Sequence, residues 1–183
     1  AGAGRHFGLT PHGARRRGMI ITSKPPSQLI RLGLLVPPKM ICCPGGDYCS
    51  LANAKSLPVA EAIQRRFADY DFQHDLGELD LNISGCMNAC GPHHVGHIGI
   101  LGVDKKGQEF YQISLGGHAG HSGEGPRLGQ IIGPSVPRAE VCDVIEKVLQ
   151  VFLGLRFESE TFLSCFNRIG IQPFKESIYA KAA

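Results

Sequence analysis

Apolar and polar positions along the chain fall into clear periods only from Met40 onward. Val59, Ala60, Ile63 and Phe67 recur at helical spacing behind Ser56 and Pro58, residues of the kind that open helices, which predicts a helix there. Leu79, Leu81 and Ile83 then alternate with Asp80, Asn82 and Ser84. That is the period of a half-buried strand, and over 78–84 it delivers its end to Gly85 and Cys86. Two further β-prone runs, 95–103 and 109–115, are joined by Asp104, Lys105, Lys106 and Gly107 and read as a hairpin.

Beyond the hairpin, 116–129 is rich in glycine and reads as a loop, with His118 and His121 facing solvent. A longer helix is expected near Pro137, whose missing N–H suits a first helical turn. Its face of Val141, Val144, Ile145, Val148, Leu149 and Phe152 is spaced to pack on a sheet. Shorter helices over 158–168, ending at Gly170, and over 174–179, after Pro173, close the chain. Strands mixed with helices and without regular βαβ alternation define an α+β class: a mixed or antiparallel sheet with flanking helices, and functional loops at strand and helix ends. Residues 1–40 hold no period for long, broken by Pro25-Pro26 and Pro37-Pro38, apart from an apolar patch around 29–36. The organisation expected is an irregular, unassigned segment over 1–40, a functional domain over 41–157 and a helical tail over 158–183 that packs on it.

Composition narrows the function classes. A chain of 183 residues with 43% hydrophobic positions can bury one good core. Its longest apolar stretches, such as 148–155, fall well short of the roughly 20 residues of a membrane span. The net charge of +3 is small and scattered, so nucleic acid is not the expected partner, and Arg15 to Arg17 read as a solvated basic run. A cytoplasmic location is expected. There seven cysteines favour metal binding or catalysis over a disulfide framework, since cytosolic thiols stay reduced.

Four of those cysteines stand in two short motifs. Cys43-Pro-Gly-Gly-Asp-Tyr-Cys49 places two thiols across a glycine-bearing turn, and Cys86-Met-Asn-Ala-Cys90 places two more at i and i+4 directly after the strand. Four thiolates are what a 4Fe-4S cube needs, one to each iron, and soft sulfur suits the metal. Gly45, Gly46, Gly85 and Gly91 flank the cysteines and leave backbone N–H groups to bond the cluster's sulfides. Structural zinc is the rival, although zinc sites usually separate paired cysteines by two to four residues and Cys43 to Cys49 has five between.

At these residues the chain resembles the sulfite and nitrite reductase hemoproteins, from about Ile41 to the C-terminus and most nearly bacterial sulfite reductase hemoprotein β subunits. The resemblance runs through Cys43-Pro-Gly-Gly-Asp-Tyr-Cys49, Ile83-Ser-Gly-Cys86-Met-Asn-Ala-Cys90-Gly91, His97-Ile-Gly-Ile-Leu-Gly102 and Tyr111-Gln-Ile-Ser-Leu-Gly-Gly117. It implies that Cys43, Cys49, Cys86 and Cys90 hold a 4Fe-4S cluster and that the Cys90 thiolate also touches the iron of siroheme. It further implies an oxidoreductase that takes sulfite to sulfide, or nitrite to ammonia, by six electrons from a flavoprotein or ferredoxin donor. A complete hemoprotein is several times longer, and its substrate-binding cations lie mostly before the first cysteine pair. The chain therefore reads as the carboxy-terminal part, needing an amino-terminal half or partner subunit for activity. A noncatalytic 4Fe-4S electron carrier and a zinc-stabilised interaction domain are the alternatives from other classes.

Several neighbouring residues have two readings each. His93, His94 and His97 either meet siroheme carboxylates and relay protons or serve as structural and surface residues. Asn88 either caps the turn between two ligands or reaches a heme carboxylate. Lys55, Arg65 and Arg66 either meet siroheme carboxylates or form a solvated helix face. Cys42, Cys142 and Cys165 read as packing thiols outside the ligand set.

Overall fold

The computed structural model describes residues 39–68, 76–120 and 125–179. The readings made for 1–38, including the basic run and the apolar patch, and the one for His121 lie outside them. Among the described residues a mixed six-stranded sheet carries the fold, with strands β1 (Lys39–Cys42), β2 (Asp80–Ser84), β3 (Ile98–Lys105), β4 (Gln108–Leu115) and β5 (Gln130–Ile131) lying side by side in that order. A sixth, β6 (Val136–Pro137), also pairs with β4. Helix α1 (Leu57–Ala68) falls between β1 and β2, and α2 (Val141–Leu155), α3 (Phe162–Ile169) and α4 (Gln172–Tyr179) follow the sheet. This is the α+β class expected.

The pairings explain where a site can form. β1 and β2 run parallel, with Cys42 opposite Ile83, so the chain leaves both strands at the same end of the sheet. Their parallel pairing makes β1–α1–β2 a crossover unit of the kind parallel strands require, and β2 and β3 are parallel as well. No alternation announces β1, a strand of four residues. The hairpin of β3 and β4 turns over two residues only, Lys106 and Gly107, both at positive φ (57° and 78°), as in a primed turn.

One face of the sheet and the helices share a single core. Leu81, Ile83, Ile98, Ile100, Ile113 and Leu115 meet Val59, Ile63 and Phe67 of α1 and the predicted face of α2. Phe152, Phe162, Phe166 and Phe174 join α2, α3 and α4, with ring centroids 5.4 Å apart for Phe152–Phe162 and 5.8 Å for Phe166–Phe174. Each such side chain, fully buried, contributes about 1.5–3 kcal/mol. Thr161 caps α3 by accepting from the Ser164 N–H at 3.2 Å, and Gly170 ends it at φ 72°.

Two expectations are corrected. Pro137 lies in extended β6 opposite Phe110, and α2 starts four residues later, behind a 3-10 turn over Arg138–Glu140; the proline ring fixes φ at −65°, which suits either conformation, and pairing with β4 decides it. His118 does not face solvent. It is buried, bridged through its backbone to Arg127, and its ring stacks on His97 with centroids 6.3 Å apart.

Candidate metal-cluster site

Both cysteine motifs leave the sheet at one end. Cys43 follows β1 and Cys86 follows β2 by one residue, so the parallel pairing of these strands sets the two loops side by side. Backbone bonds then lock them. Cys43 N–H donates to Ile83 O at 3.0 Å, and Asn53 and Ala54 N–H both donate to Gly85 O at 2.9 and 3.0 Å. Within the first loop, Gly46 N–H reaches Ala54 O at 3.0 Å and Cys49 N–H reaches Gly45 O at 2.9 Å.

The contact is too close for side chains. A Cβ on Gly85 would lie 2.7 Å from Ala54 O and 2.9 Å from Gly45 Cα, and one on Gly91 would strike Ile83 O and stand 3.0 Å from Cys43 N. Gly45 has φ +63° besides, and a side chain there would collide with the Ser56 hydroxyl. The glycines beside the cysteines thus serve close approach between the loops carrying Cys43, Cys86 and Cys90.

At the first thiol the surroundings are polar. Gly85 N–H donates to Cys43 Sγ at 3.0 Å, and the Ser56 hydroxyl lies 3.3 Å from the same sulfur. Cys43 and Cys86 are buried, Cys49 is half-buried and Cys90 is exposed, and all four are free thiols. The second motif is a turn and not a helix: Ala89 N–H donates to Cys86 O at 3.2 Å and Ala89 takes φ 53°. Asn88 is exposed between the two cysteines. Among the described residues no three His, Cys, Asp or Glu side chains are gathered closely enough to hold a single metal ion. A cube makes a different demand, because each thiolate binds its own iron and the sulfurs surround a body.

Polar residues that the periodicity assigns to a solvent face are buried beneath this site. Ser84 Oγ donates to Gly91 O at 2.5 Å and Asn82 Nδ2 to Pro92 O at 3.0 Å, so β2's polar side chains clamp the segment that follows Cys90. Their signal was present as Asn82 and Ser84 in the alternation, but not their burial. A 3-10 turn over His93–Val95 continues this segment. His93 is half-buried, and burial, then the neighbouring His94, pushes its pKa down. His94 is exposed. His97 turns into the interior, where Nδ1 accepts from the Asp80 N–H at 3.1 Å and its ring stacks on Phe162 at 6.4 Å. Burial lowers its pKa against the opposing pull of Asp80 and Glu78.

The basic residues are mostly engaged. Lys55 Nζ pairs with Asp47 at 3.0 Å, within the first cysteine loop, and its backbone N–H donates to Glu109 Oε1 at 3.2 Å. The buried Tyr111 hydroxyl donates to Lys55 O at 2.7 Å, tying that loop to β4; burial, then Glu109, pushes the phenol's pKa up. Arg66 bonds Asp143 at 2.5 Å and Glu146 at 2.6 Å, joining α1 to α2, while Arg65 is exposed. Cys165 is buried in the core, Cys142 is half-buried beside Arg65, Arg66 and Arg138, and burial drives the Cys42 pKa up to about 11.

Fold and site together describe a domain that presents two cysteine loops at the shared end of a parallel strand pair. The family profile described as the nitrite and sulphite reductase 4Fe-4S domain matches residues 38–183. The chain belongs to that family. Among its relatives, sulfite reductase (ferredoxin) 2 of Mycolicibacterium paratuberculosis is 34% identical over 133 residues, a match covering 67% of this chain and 23% of that protein. An assimilatory-type sulfite reductase of Nitratidesulfovibrio vulgaris is 26% identical, with 74% of this chain and 58% of that protein covered. The structure of the Mycobacterium tuberculosis NirA protein superposes with a TM-score of 0.61 at 28% identity, covering 81% of this chain and 29% of that one. The chain thus spans about a quarter of the length of the first of these relatives.

Proposed function

We propose that this chain is the cluster- and siroheme-binding portion of a sulfite reductase, with Cys43, Cys49, Cys86 and Cys90 holding a 4Fe-4S cluster. The observation that carries this is the junction of the two loops, where Gly85 N–H bonds Cys43 Sγ at 3.0 Å and glycine allows the backbones to touch. The donor set fits the group. Four free thiols are soft ligands, and an N–H aimed at a ligand sulfur offsets the negative charge that thiolate ligation concentrates there.

When bound, the cluster and siroheme supply single-electron transfer toward sulfite. The remaining roles fall to this chain's residues. Cys90, exposed on the surface, is the thiolate we assign to both the cluster and the siroheme iron. Asn88 and His93 stand on either side of it and are our candidates for contacts to siroheme carboxylates. Ser84 and Asn82 hold the backbone after Cys90 in place. Tyr48, Leu51 and Met87, on the cysteine loops themselves, are 81%, 70% and 82% exposed, which supports a face covered by another part of a complete reductase. Sulfite is the substrate proposed, since the relatives above are named for it. Ferredoxin or a flavoprotein is the electron donor proposed, the former named in the mycobacterial relative. No helix among the described residues is long and apolar enough to cross a membrane. Seven free thiols suit a reducing compartment, and we place the protein in the cytoplasm.

Anaerobic purification tests the reading. Iron and sulfide in equal amounts, with an iron–sulfur absorbance shoulder and siroheme bands, are expected. A shoulder alone makes the chain an electron carrier, and zinc without colour makes it an interaction domain. Sulfite reduction with a strong artificial donor should appear only when an amino-terminal half from a related hemoprotein is supplied, because anion reduction needs fixed cations and proton donors around the substrate.

A further inference from the structure

We propose that the Ser56 hydroxyl tunes the reduction potential of the cluster by donating a hydrogen bond to the Cys43 thiolate, an inference that rests on the cluster reading above. Ser56 is fully buried and stands immediately before α1, where its carbonyl accepts the Ala60 N–H at 3.0 Å and so begins the helix. A serine in that place commonly caps the helix with its side chain. Here the hydroxyl oxygen lies instead 3.3 Å from Cys43 Sγ.

The surroundings hold it there. Gly45 and Gly85 press on the hydroxyl from the two cysteine loops, so closely that a Cβ on Gly85 would stand 2.9 Å from Ser56 Oγ. Either atom of the Ser56–Cys43 pair can donate while both carry protons. Ligation to iron removes the thiol proton, and Ser56 is then the one that can donate. Together with Gly85 N–H, it brings two donors to one buried sulfur.

Reduction of the cluster adds an electron whose charge spreads onto the ligand sulfurs. A donor fixed at such a sulfur stabilises the reduced state more than the oxidised one and raises the potential. Ser56 touches neither substrate nor iron, so its part is that of a tuning residue acting through Cys43.

The test compares the anaerobically reconstituted full chain with Ser56→Ala and Ser56→Thr, reading iron and sulfide content and the midpoint potential by spectroscopically monitored redox titration. Alanine removes one atom and adds none. With full iron and sulfide, its midpoint should move to more negative potential, and threonine, which keeps the hydroxyl, should return it toward the starting value. An unmoved midpoint in a fully loaded Ser56→Ala chain overturns the proposal and leaves the cluster reading intact. Loss of the cluster from Ser56→Ala also overturns it, since the serine would then be building the site. Failure of the unaltered chain to take up any cluster sinks both, and is recognised by the absence of iron before any variant is made.

Discussion

The backbone N–H of Gly85 donates to Cys43 Sγ across 3.0 Å, which binds the loop leaving β2 to the first thiol of the loop leaving β1. The two cysteine loops are therefore joined to each other at Cys43. Serine at Cys43, Cys49 or Cys86 should remove most of the iron and sulfide from the reconstituted chain, because a hard oxygen is a poor match for the cluster. Full content in any one variant strikes that cysteine from the ligand set.

Gly85→Ala and Gly154→Ala should change stability in opposite directions. At Gly85 the new methyl meets backbone at 2.7 Å, and only movement of a loop relieves it, at about 1–3 kcal/mol, with lower cluster content. At Gly154, in α2, a methyl meets nothing within 4 Å and stabilises the helix by about 0.5–1 kcal/mol. Chemical denaturation of both apo variants checks the signs; equal shifts remove the close-approach argument.

His97 should make stability fall in mild acid. Burial lowers its folded pKa below the unfolded value of about 6.5, so the unfolded chain binds the extra proton more readily. The stability is complete above that value and is lost as pH falls through the folded pKa. Glu160, held at about 2 chiefly by hydrogen bonds from Arg168, loses its contribution in stronger acid, below its ordinary range. His97→Gln, which retains an acceptor for the Asp80 N–H, should flatten the melting temperature between pH 7 and about 5 and leave the lower window in place. An unchanged slope assigns the acid sensitivity elsewhere.

Cys165→Ala should cost roughly 1 kcal/mol, as for a small buried side chain, and leave iron content untouched. Loss of iron would bring Cys165 into the ligand set.

Much of this was legible in the linear pattern because it is local. The helical spacing of Val59, Ala60, Ile63 and Phe67, the alternation through 79–84, a turn within 104–107 and the apolar face of α2 each depend on residues a few positions apart. The cysteine motifs with their glycines belong to the same class, since ligand chemistry and turn geometry are written within each short segment.

Other features depend on what arrives from elsewhere in the chain. Periodicity placed Asn82 and Ser84 on a face opposite Leu81 and Ile83, but their burial follows from the segment after Cys90 laying its carbonyls across them. His118 looked solvent-facing in a glycine-rich run, and its burial comes from the bridge to Arg127 and the ring of His97. Ser56 read as a helix start and is one, yet its hydroxyl meets Cys43, 13 positions earlier.

By itself the sequence determined that four cysteines sit in two glycine-flanked turns, that one pair follows a strand, and that helices and strands of given periods surround them. Only the tertiary structure decided that the short strand before Cys43 pairs in parallel with the strand before Cys86. That pairing is a long-range hydrogen-bonded register between segments some 40 residues apart, set by the common core beneath both strands rather than by any local preference. It carries both cysteine loops to one end of the sheet, where backbone contact, the Gly85 N–H and the Ser56 hydroxyl join them around Cys43 Sγ.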